Sequence, residues 1–119
     1  MTVLYDSLTG NVNRFINKLP VDAKKITTDM QVDEDFILIT FTTGFGNVPE
    51  TTRTFLEKNN RYLKAIACSG NKNWGDLYGA CADVIAKMYQ VPILHKFELS
   101  GTPTDVVKFM KGLETIEAH

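Results

Sequence analysis

The feature that most constrains this chain is the alternation of short apolar runs with segments of helical apolar spacing. Residues 3–5, 36–39 and 65–68 contain no charged or amide side chain. Such continuous runs are typical of parallel strands that are covered on both faces. After the first run, apolar residues recur at i, i+3, i+4 and i+7, the spacing of an amphipathic helix. These residues are Val12, Phe15, Ile16 and Leu19, and Pro20 ends the pattern.

Weaker patterns predict the elements in the middle of the chain. Residues 23–27 are a candidate edge strand, and Pro49 suits the first turn of a helix. Asp76 is placed to cap a further helix, and a strand is predicted over residues 93–99. The apolar stripe of the helix after Asp76 would be Leu77, Cys81, Val84, Ile85 and Met88.

The last segment carries the clearest helix start. Thr102 and Asp105 have the spacing of a capping box, with Pro103 at the first helical position. Strands and helices thus alternate to the end of the chain, and their short connections imply right-handed crossovers. We therefore predict one domain over residues 1–119, with an α/β doubly wound sheet of five parallel strands and about four helices on its two faces.

Charge and composition argue against several classes of partner. The formal net charge is -1, and no run of Lys or Arg alternates with aromatic residues, so no nucleic acid partner is expected. The apolar runs are far shorter than the roughly 20 residues of a membrane-spanning helix. No signal peptide pattern begins the chain, so we expect no membrane association and a cytoplasmic location.

The two cysteines do not suggest a metal site. Cys68 and Cys81 lie in neither a CxxC pattern nor a Cys/His ligand spacing. Free cysteine is among the most buried residue types, so both are predicted to be core residues. A redox-active thiol is the weaker alternative.

Three of the apolar runs end in loops rich in Gly, Ser, Thr and Asn. The loops read S-L-T-G-N over residues 7–11, T-T-G-F-G-N over 42–47 and S-G-N-K-N-W-G-D over 69–76. The carboxyl ends of parallel strands share one edge of a sheet, so the three loops are predicted to meet there. Glycine and small polar residues allow the backbone to approach a ligand closely. The sequence therefore predicts a ligand site at this edge.

The first loop joins a strand to a helix start and is rich in hydroxyl groups. Backbone N–H groups at such a turn point to one place, where the helix dipole favours an anion. This pattern predicts a phosphate cradle. The alternative is an ordinary strand-to-helix connection that is capped by Thr9 or Asn11.

The motifs of several nucleotide-binding and hydrolytic sites are missing from the sequence. It contains no Walker motif, no complete dinucleotide-binding glycine motif and no nucleophile elbow. His95 and His119 are not obviously paired with a serine, and His95 is predicted to be a structural or surface residue. Any chemistry is therefore assigned to a bound organic cofactor.

Trp74 is the single tryptophan, and it lies in a loop between Gly70 and Gly75. A large ring at this edge can stack on a flat heterocycle whose tail is held by the phosphate cradle. The alternative is a loop anchor that packs on the core. A phosphate together with a planar ring suggests FMN.

Five stretches of the chain carry a resemblance to a known family: residues 6–12, 32–40, 42–49, 67–76 and 91–102. The most specific motifs in them are S-G-N-x-x-W-G and F-E-L-S-G-T. Together with the site pattern, these stretches resemble the NrdI family, the flavodoxin-like activating proteins of class Ib ribonucleotide reductase. The resemblance implies a flavodoxin-like sheet of strand order 2-1-3-4-5.

The resemblance also implies a function. A protein of this family binds FMN, is reduced by a cellular reductant and reacts with O₂ to make superoxide. The superoxide serves assembly of the Mn(III)₂-tyrosyl radical cofactor in the dimanganese small subunit of the reductase. Such a protein is a flavin-dependent redox activator rather than an enzyme that turns over a substrate.

Roles for the three loops follow from the same resemblance. The first loop would bind the phosphate through Ser7, Leu8, Thr9, Gly10, Asn11 and Val12. The second would border the N5 edge of the flavin through Thr42, Thr43, Gly44, Phe45 and Gly46. The third would cover the ring and its pyrimidine side through Ser69, Gly70, Asn71, Trp74 and Gly75. Two glycines around Phe45 allow that peptide to rotate, so the second loop is expected to respond to redox state.

Two other functions stay open from the residues alone. One is a generic electron-transfer flavodoxin, and the other is a non-redox module that binds a phosphorylated ligand or a protein through the same loops. Carrier flavodoxins surround the ring with acidic residues, whereas the two loops nearest the ring hold only Asp76, with Lys72 close by. The charge penalty on reduction is therefore expected to be smaller here.

Overall fold

The computed structural model describes residues 1–44 and 46–118. Within them, five strands and four helices alternate along the chain as predicted, except that no helix lies between the second and third strands. The strands are β1 (Thr2–Tyr5), β2 (Lys24–Lys25), β3 (Phe36–Phe41), β4 (Leu63–Gly70) and β5 (Ile93–Glu98). The helices are α1 (Asn11–Ile16), α2 (Glu50–Asn59), α3 (Ala80–Tyr89) and α4 (Pro103–Glu117), and two 3₁₀ turns cover Asn60–Tyr62 and Lys72–Leu77.

The sheet has the order β2-β1-β3-β4-β5, which confirms the predicted order 2-1-3-4-5. All the strand pairs are parallel, and the central register places Val3 opposite Ile37 and Leu38 opposite Ile66. The chain first moves outward from β1 to β2 and then returns to β3 on the other side. This reversal opens a crevice at the carboxyl ends of β1 and β3, where ligands bind in doubly wound folds.

Helices cover both faces of the sheet, as predicted. On one face, Phe15 of α1 stacks on Phe97 with ring centroids 4.0 Å apart and meets Phe109 of α4 edge to face at 5.8 Å. On the other face, Phe36 meets Phe55 of α2 at 5.5 Å. Successive residues of β3 alternate between the two clusters, so the fully apolar run is buried on both sides.

The predicted cap at Asp76 is wrong. Residues Lys72–Leu77 form a 3₁₀ turn, and α3 begins only at Ala80, after Gly79 in the left-handed conformation (φ 63°). Of the predicted stripe, Cys81 and Ile85 are buried as expected, together with Ala82, whereas Leu77, Val84 and Met88 are exposed. Gly75 breaks the helical path at φ 57° and ψ -118°, so the apolar stripe could not run through the loop.

Other element boundaries differ by a few residues. Helix α1 ends at Ile16. Leu19 lies in the turn that follows, where it is buried and its N–H donates to the carbonyl of Ile16. The edge strand shrinks to Lys24–Lys25. The fifth strand stops at Glu98, because Leu99 takes a left-handed conformation. No helix among the described residues has the length and apolarity needed to cross a membrane.

Candidate functional site

The three predicted loops meet at the carboxyl edge of the sheet and line one pocket of about 280 Å³. It lies over the ends of β1, β3 and β4, at the point where strand order reverses. The predicted site residues that line it are Ser7, Leu8, Thr9, Asn11, Val12, Thr42, Thr43, Gly44, Ser69, Gly70, Asn71 and Trp74. Convergence of the loops is thus a property of the fold.

Three of the predicted residues that the structure describes are not among those lining the pocket. Gly10 forms the helix start beside it, and Gly75 lies in the third loop, where an added Cβ would have no neighbouring atom within 4 Å. Gly46 is buried, and a Cβ there would lie 3.1 Å from the Cβ of Ala80, so the second loop packs directly on α3. Phe45 lies outside the described residues.

The start of α1 is left open toward the pocket. Its N-cap residue is Gly10, at φ 91°, which has no side chain to accept from the first-turn N–H groups. The hydroxyl of Ser7 accepts a long hydrogen bond, 3.4 Å, from the N–H of Asn13. The alternative of a cap by Thr9 or Asn11 is therefore wrong, and the turn keeps the features of an anion site.

A cation that the sequence analysis missed lies beside this turn. The Nη1 atom of Arg14 donates to Oδ1 of Asn11 at 2.9 Å, and its Nη2 atom lies 3.5 Å from the place of a Cβ on Gly10. Arg14 is one helical turn after Gly10, so its spacing was the available signal. Its charge adds to the attraction of the helix start for an anion.

The second loop is closed by its own backbone. Thr43 and Asn47 exchange two hydrogen bonds, of 3.0 Å and 2.8 Å, around the tip of the loop. Gly44 and Gly46 both have positive φ, 50° and 88°, which residues with side chains rarely adopt. The exposed Gly44 faces the pocket, whereas the buried Gly46 is fixed against α3.

Both cysteines are buried directly below the pocket, which agrees with their prediction as core residues. The hydroxyl of Thr42 lies 3.2 Å from Sγ of Cys68 and accepts from the N–H of Cys81 at 3.4 Å. A hydrogen bond from the Cys81 thiol, helped by Thr42, lowers the pKa of Cys68. The same bond, together with burial, holds the pKa of Cys81 well above its ordinary value.

The third loop presents Trp74 to the pocket. The side-chain oxygen of Asn71 accepts a hydrogen bond from the N–H of Asn73 at 2.9 Å. The backbone carbonyl of Asn71 accepts a second one from the N–H of Trp74 at 3.0 Å. These bonds hold the turn that carries the indole. Trp74 is 47% exposed and lines the pocket, so its ring is not buried within the core.

A fourth loop, residues 98–101, was missed as part of the site. Leu99 lines the pocket, and its carbonyl accepts from the hydroxyl of Ser69 at 2.6 Å. The hydroxyl of Ser100 donates to Oδ1 of Asn11 at 2.9 Å, which ties this loop to the first one. Because the fifth strand is parallel to the others, its carboxyl end must lie at the same edge of the sheet.

The pocket is lined by neutral residues. Among the residues that the structure describes, its lining contains no charged side chain. The nearby Asp6 is buried and accepts from the hydroxyl of Thr52 at 2.7 Å. The lining is polar at the α1 start and apolar at Phe41, Trp74, Leu77 and Leu99. Such a surface fits a ligand with an anionic tail and a flat apolar part.

The described residues offer no acid–base pair or metal cluster in this pocket. His95 lies on β5, and its Nε2 atom is 2.6 Å from Oδ1 of Asp105, outside the pocket lining. No group of three or more His, Cys, Asp or Glu residues in the described part is arranged to hold a metal ion. The described side chains of the pocket lining can bind and orient a ligand.

The sequence matches one protein family over most of its length. The profile of the NrdI flavodoxin-like family matches residues 3–111. Protein NrdI of Bacillus licheniformis is 52% identical over 115 residues, which are 96% of this chain and 88% of that protein. The SPbeta prophage-derived protein NrdI of Bacillus subtilis is 44% identical over 119 residues, covering 97% of this chain and 92% of the relative.

A solved structure gives independent support for the fold. The structure of a short-chain flavodoxin associated with a non-canonical PDU bacterial microcompartment superimposes with a TM-score of 0.73. The match covers 98% of this chain and 95% of that protein, at 18% identity. At that identity the similarity establishes a shared flavodoxin-like fold.

Proposed function

This chain belongs to the NrdI flavodoxin-like family, and on that premise we propose that it binds FMN and activates class Ib ribonucleotide reductase. FMN held in the pocket would supply the chemistry, namely one-electron reduction of O₂ to superoxide once the flavin is reduced, and this superoxide would serve assembly of the Mn(III)₂-tyrosyl radical cofactor in the small subunit. The partners in this proposal are that dimanganese subunit, a flavin reductant and O₂. Neither nucleic acid nor a membrane has a part in it, and the place of action is the cytoplasm.

The observation that carries the proposal is the convergence of an open helix start and an exposed aromatic ring in one neutral pocket. The phosphate of FMN would be held at the first loop by backbone N–H groups and by Ser7, Thr9 and Asn11, with Arg14 beside them. The ring would lie toward the apolar end, which Trp74 and Leu99 line.

The neutral lining favours a protein that releases electrons over one that stores them singly. Reduction adds negative charge to a flavin, and acidic side chains near the ring would oppose this charge. The buried carboxylate of Asp6 bonds to Thr52, and the Glu98 carboxylate accepts from the N–H of Lys72 at 3.1 Å. The chain's own task is therefore to bind, orient and shield the cofactor.

The second loop is the proposed redox-responsive element. Gly44 contributes an exposed peptide with positive φ to the pocket, while the Thr43–Asn47 bonds hold the base of the loop. A peptide next to glycine can change orientation at little steric cost. This combination of a fixed base and a permissive tip supports a local change at the tip.

The deciding experiment reconstitutes the reaction. The protein is loaded with FMN, reduced without oxygen, mixed with the manganese-loaded small subunit and exposed to O₂. Tyrosyl radical is then measured by electron paramagnetic resonance. We expect radical formation that depends on the reduced protein, with the manganese-loaded subunit and O₂ alone as the control. Absence of radical in the complete mixture would contradict the proposal.

The same preparation separates the two other functions. A protein that binds FMN stoichiometrically, yields no radical and exchanges single electrons with a redox partner would be an electron-transfer flavodoxin. A protein that binds no FMN would be a non-redox module. The flavin absorbance of the purified protein after incubation with FMN distinguishes this last case.

A further inference from the structure

Leu99 has a backbone conformation that leucine rarely adopts. Its φ is 52°, and in the described part of the chain only Gln90, at φ 58°, shares a positive φ among residues other than glycine. The left-handed region is unfavourable for residues with a Cβ, so it persists only where the surroundings impose it. Strained residues of this kind cluster at sites that hold a ligand.

Hydrogen bonds from neighbouring segments hold Leu99 and the residues after it in this left-handed turn. The carbonyl of Leu99 accepts from the Ser69 hydroxyl at 2.6 Å, and its N–H donates to the carbonyl of Gly70 at 2.9 Å. Nζ of Lys18 donates to the carbonyls of Ser100 and Gly101, at 3.1 Å and 2.9 Å. Both peptide groups of Leu99 and the two that follow are thus tied to the third loop and to the segment after α1.

Close packing at Gly101 further restricts the movement of this turn. A Cβ on Gly101 would lie 2.7 Å from Cδ1 of Phe15, whose ring is fully buried against Phe97. The backbone of the turn therefore packs directly on the buried ring of Phe15, and this contact restricts movement of the turn. Despite this rigid support, the side chain of Leu99 is 46% exposed and lines the pocket.

Gln90 shows what the same conformation looks like without a ligand site. It is the C-cap of α3, where a left-handed residue commonly ends a helix, and its side chain bonds back to the carbonyl of Lys87 at 2.8 Å. The geometry of the helix end explains Gln90 fully. Leu99 follows a strand, and its exposed apolar side chain has no such local explanation.

We propose that Leu99 contacts the ligand, and that the turn over residues 98–101 holds its apolar side chain in place against the flat part of that ligand. The proposal takes FMN as the ligand and so rests on the function proposed above. The turn would then be a fourth binding loop, in which backbone strain in the free protein keeps a contact surface ready for the ring.

The test separates the side chain from the backbone conformation. Asparagine and glycine both accept the left-handed region, so Leu99→Asn and Leu99→Gly keep the turn and remove the apolar contact. Leu99→Met keeps an apolar side chain of similar size. Gln90→Asn is the matched control, since it makes the same kind of change at the other strained position. For each apoprotein the melting temperature is measured, followed by the FMN dissociation constant from fluorescence quenching.

We expect Leu99→Asn and Leu99→Gly to melt no lower than the unsubstituted apoprotein and to bind FMN roughly tenfold more weakly. Gln90→Asn should bind FMN as the unsubstituted protein does, and Leu99→Met should bind it more tightly than Leu99→Asn and Leu99→Gly. An unchanged dissociation constant for both Leu99→Asn and Leu99→Gly would overturn the assignment of Leu99 alone. Equal weakening by Leu99→Met would also overturn it, because the apolar contact would then not be the cause. Failure of the unsubstituted protein to bind FMN would instead overturn the proposed function.

Discussion

Helices α1 and α4 begin with the same physical problem and solve it in opposite ways. The first N–H groups of any helix have no partner within the helix. At α4, the Thr102 hydroxyl accepts from the N–H of Asp105 at 3.3 Å, and the Asp105 carboxylate accepts from the N–H of Thr102 at 2.7 Å. Pro103 at the first position has no N–H to satisfy. At α1, Gly10 provides no cap.

The two helix starts differ in where their polar groups can bond: those of α4 bond to side chains of the same turn, whereas those of α1 can bond to a ligand. The start of α4 is closed by residues within a stretch of four, and residues 102–105 do not line the pocket described above. The start of α1 adjoins the pocket, and the nearby Arg14 adds a positive charge. The start of α1 has no cap from its own N-cap residue, and the side-chain bond to its first turn, from the N–H of Asn13 to Ser7, is long at 3.4 Å. This start at the pocket therefore has the features of an anion site.

The largest expected effect comes from placing a negative charge at the open helix start. Thr9→Glu puts a carboxylate where the phosphate of FMN is proposed to bind, and two like charges about 4 Å apart repel by about 4 kcal/mol near a protein surface. We expect FMN binding to weaken by roughly 100-fold or more. Riboflavin, which has no phosphate, should bind with little change. Fluorescence titration with both ligands measures the ratio.

Thr104→Glu is the matched control for that variant, since it adds the same charge in the first turn of the closed helix. Its FMN affinity should equal that of the unsubstituted protein, while its melting temperature is kept or slightly raised by the helix dipole. If Thr9→Glu and Thr104→Glu bind FMN equally well, the phosphate does not lie at α1 and the comparison of the two helix starts loses its functional meaning.

The second effect concerns the closed helix start. Asp105→Ala removes the carboxylate that holds Thr102 and pairs with His95 at 2.6 Å. Loss of a capping residue typically destabilises a protein by about 1 kcal/mol, and urea unfolding of the apoprotein measures this change. FMN affinity should stay unchanged. A variant with full stability, or one with strongly weakened FMN binding, would contradict the division between a structural and a functional helix start.

A smaller effect is expected within the open region, at the second loop. Gly44→Ala adds a Cβ at φ 50°, where the nearest atom is Nδ2 of Asn47 at 3.4 Å, so strain rather than collision is the main change. The strain amounts to about 1 kcal/mol, and if it differs between redox states the flavin midpoint potential shifts by on the order of 20 mV. Gly75→Ala, at φ 57° with open space around it, is the control. Equal potentials in all three proteins would argue against a redox-responsive tip.

The smallest effect is a dependence of stability on pH at the closed helix start. Partial burial acts to raise the pKa of Asp105, but hydrogen bonds from His95 and Thr102 outweigh it and lower this pKa below 3.8. The resulting stabilisation is present above pH 3.8 and is lost as the pH falls from 3.8 through the lower folded pKa. The difference in melting temperature between the unsubstituted apoprotein and Asp105→Asn should therefore shrink on acidification. A difference that is constant with pH would exclude this contribution.

Individual residues show which features of the protein could be predicted from the sequence and which could not. The capping box of Thr102 and Asp105 was predictable because both partners lie within one turn. The Asp76 cap was predicted wrongly, because Gly75 and Gly79 impose backbone conformations that apolar spacing does not reveal. Leu99 was missed as a pocket residue. The bond that fixes its carbonyl comes from Ser69, 30 positions earlier, and the Ser100–Asn11 bond spans 89 positions.

The sequence by itself determined the α/β class, the two-sided helix cover and the three loops at one edge, because apolar periodicity and strand direction depend on neighbours in the chain. The strand order came from the resemblance to a known family and was confirmed by the sheet. Only the tertiary structure decided which helix start stays open, that the pocket lining is neutral in the described residues, and that Leu99 is held against it in a strained conformation. These properties arise from contacts between segments tens of residues apart, and a single sequence contains no local pattern that specifies such contacts.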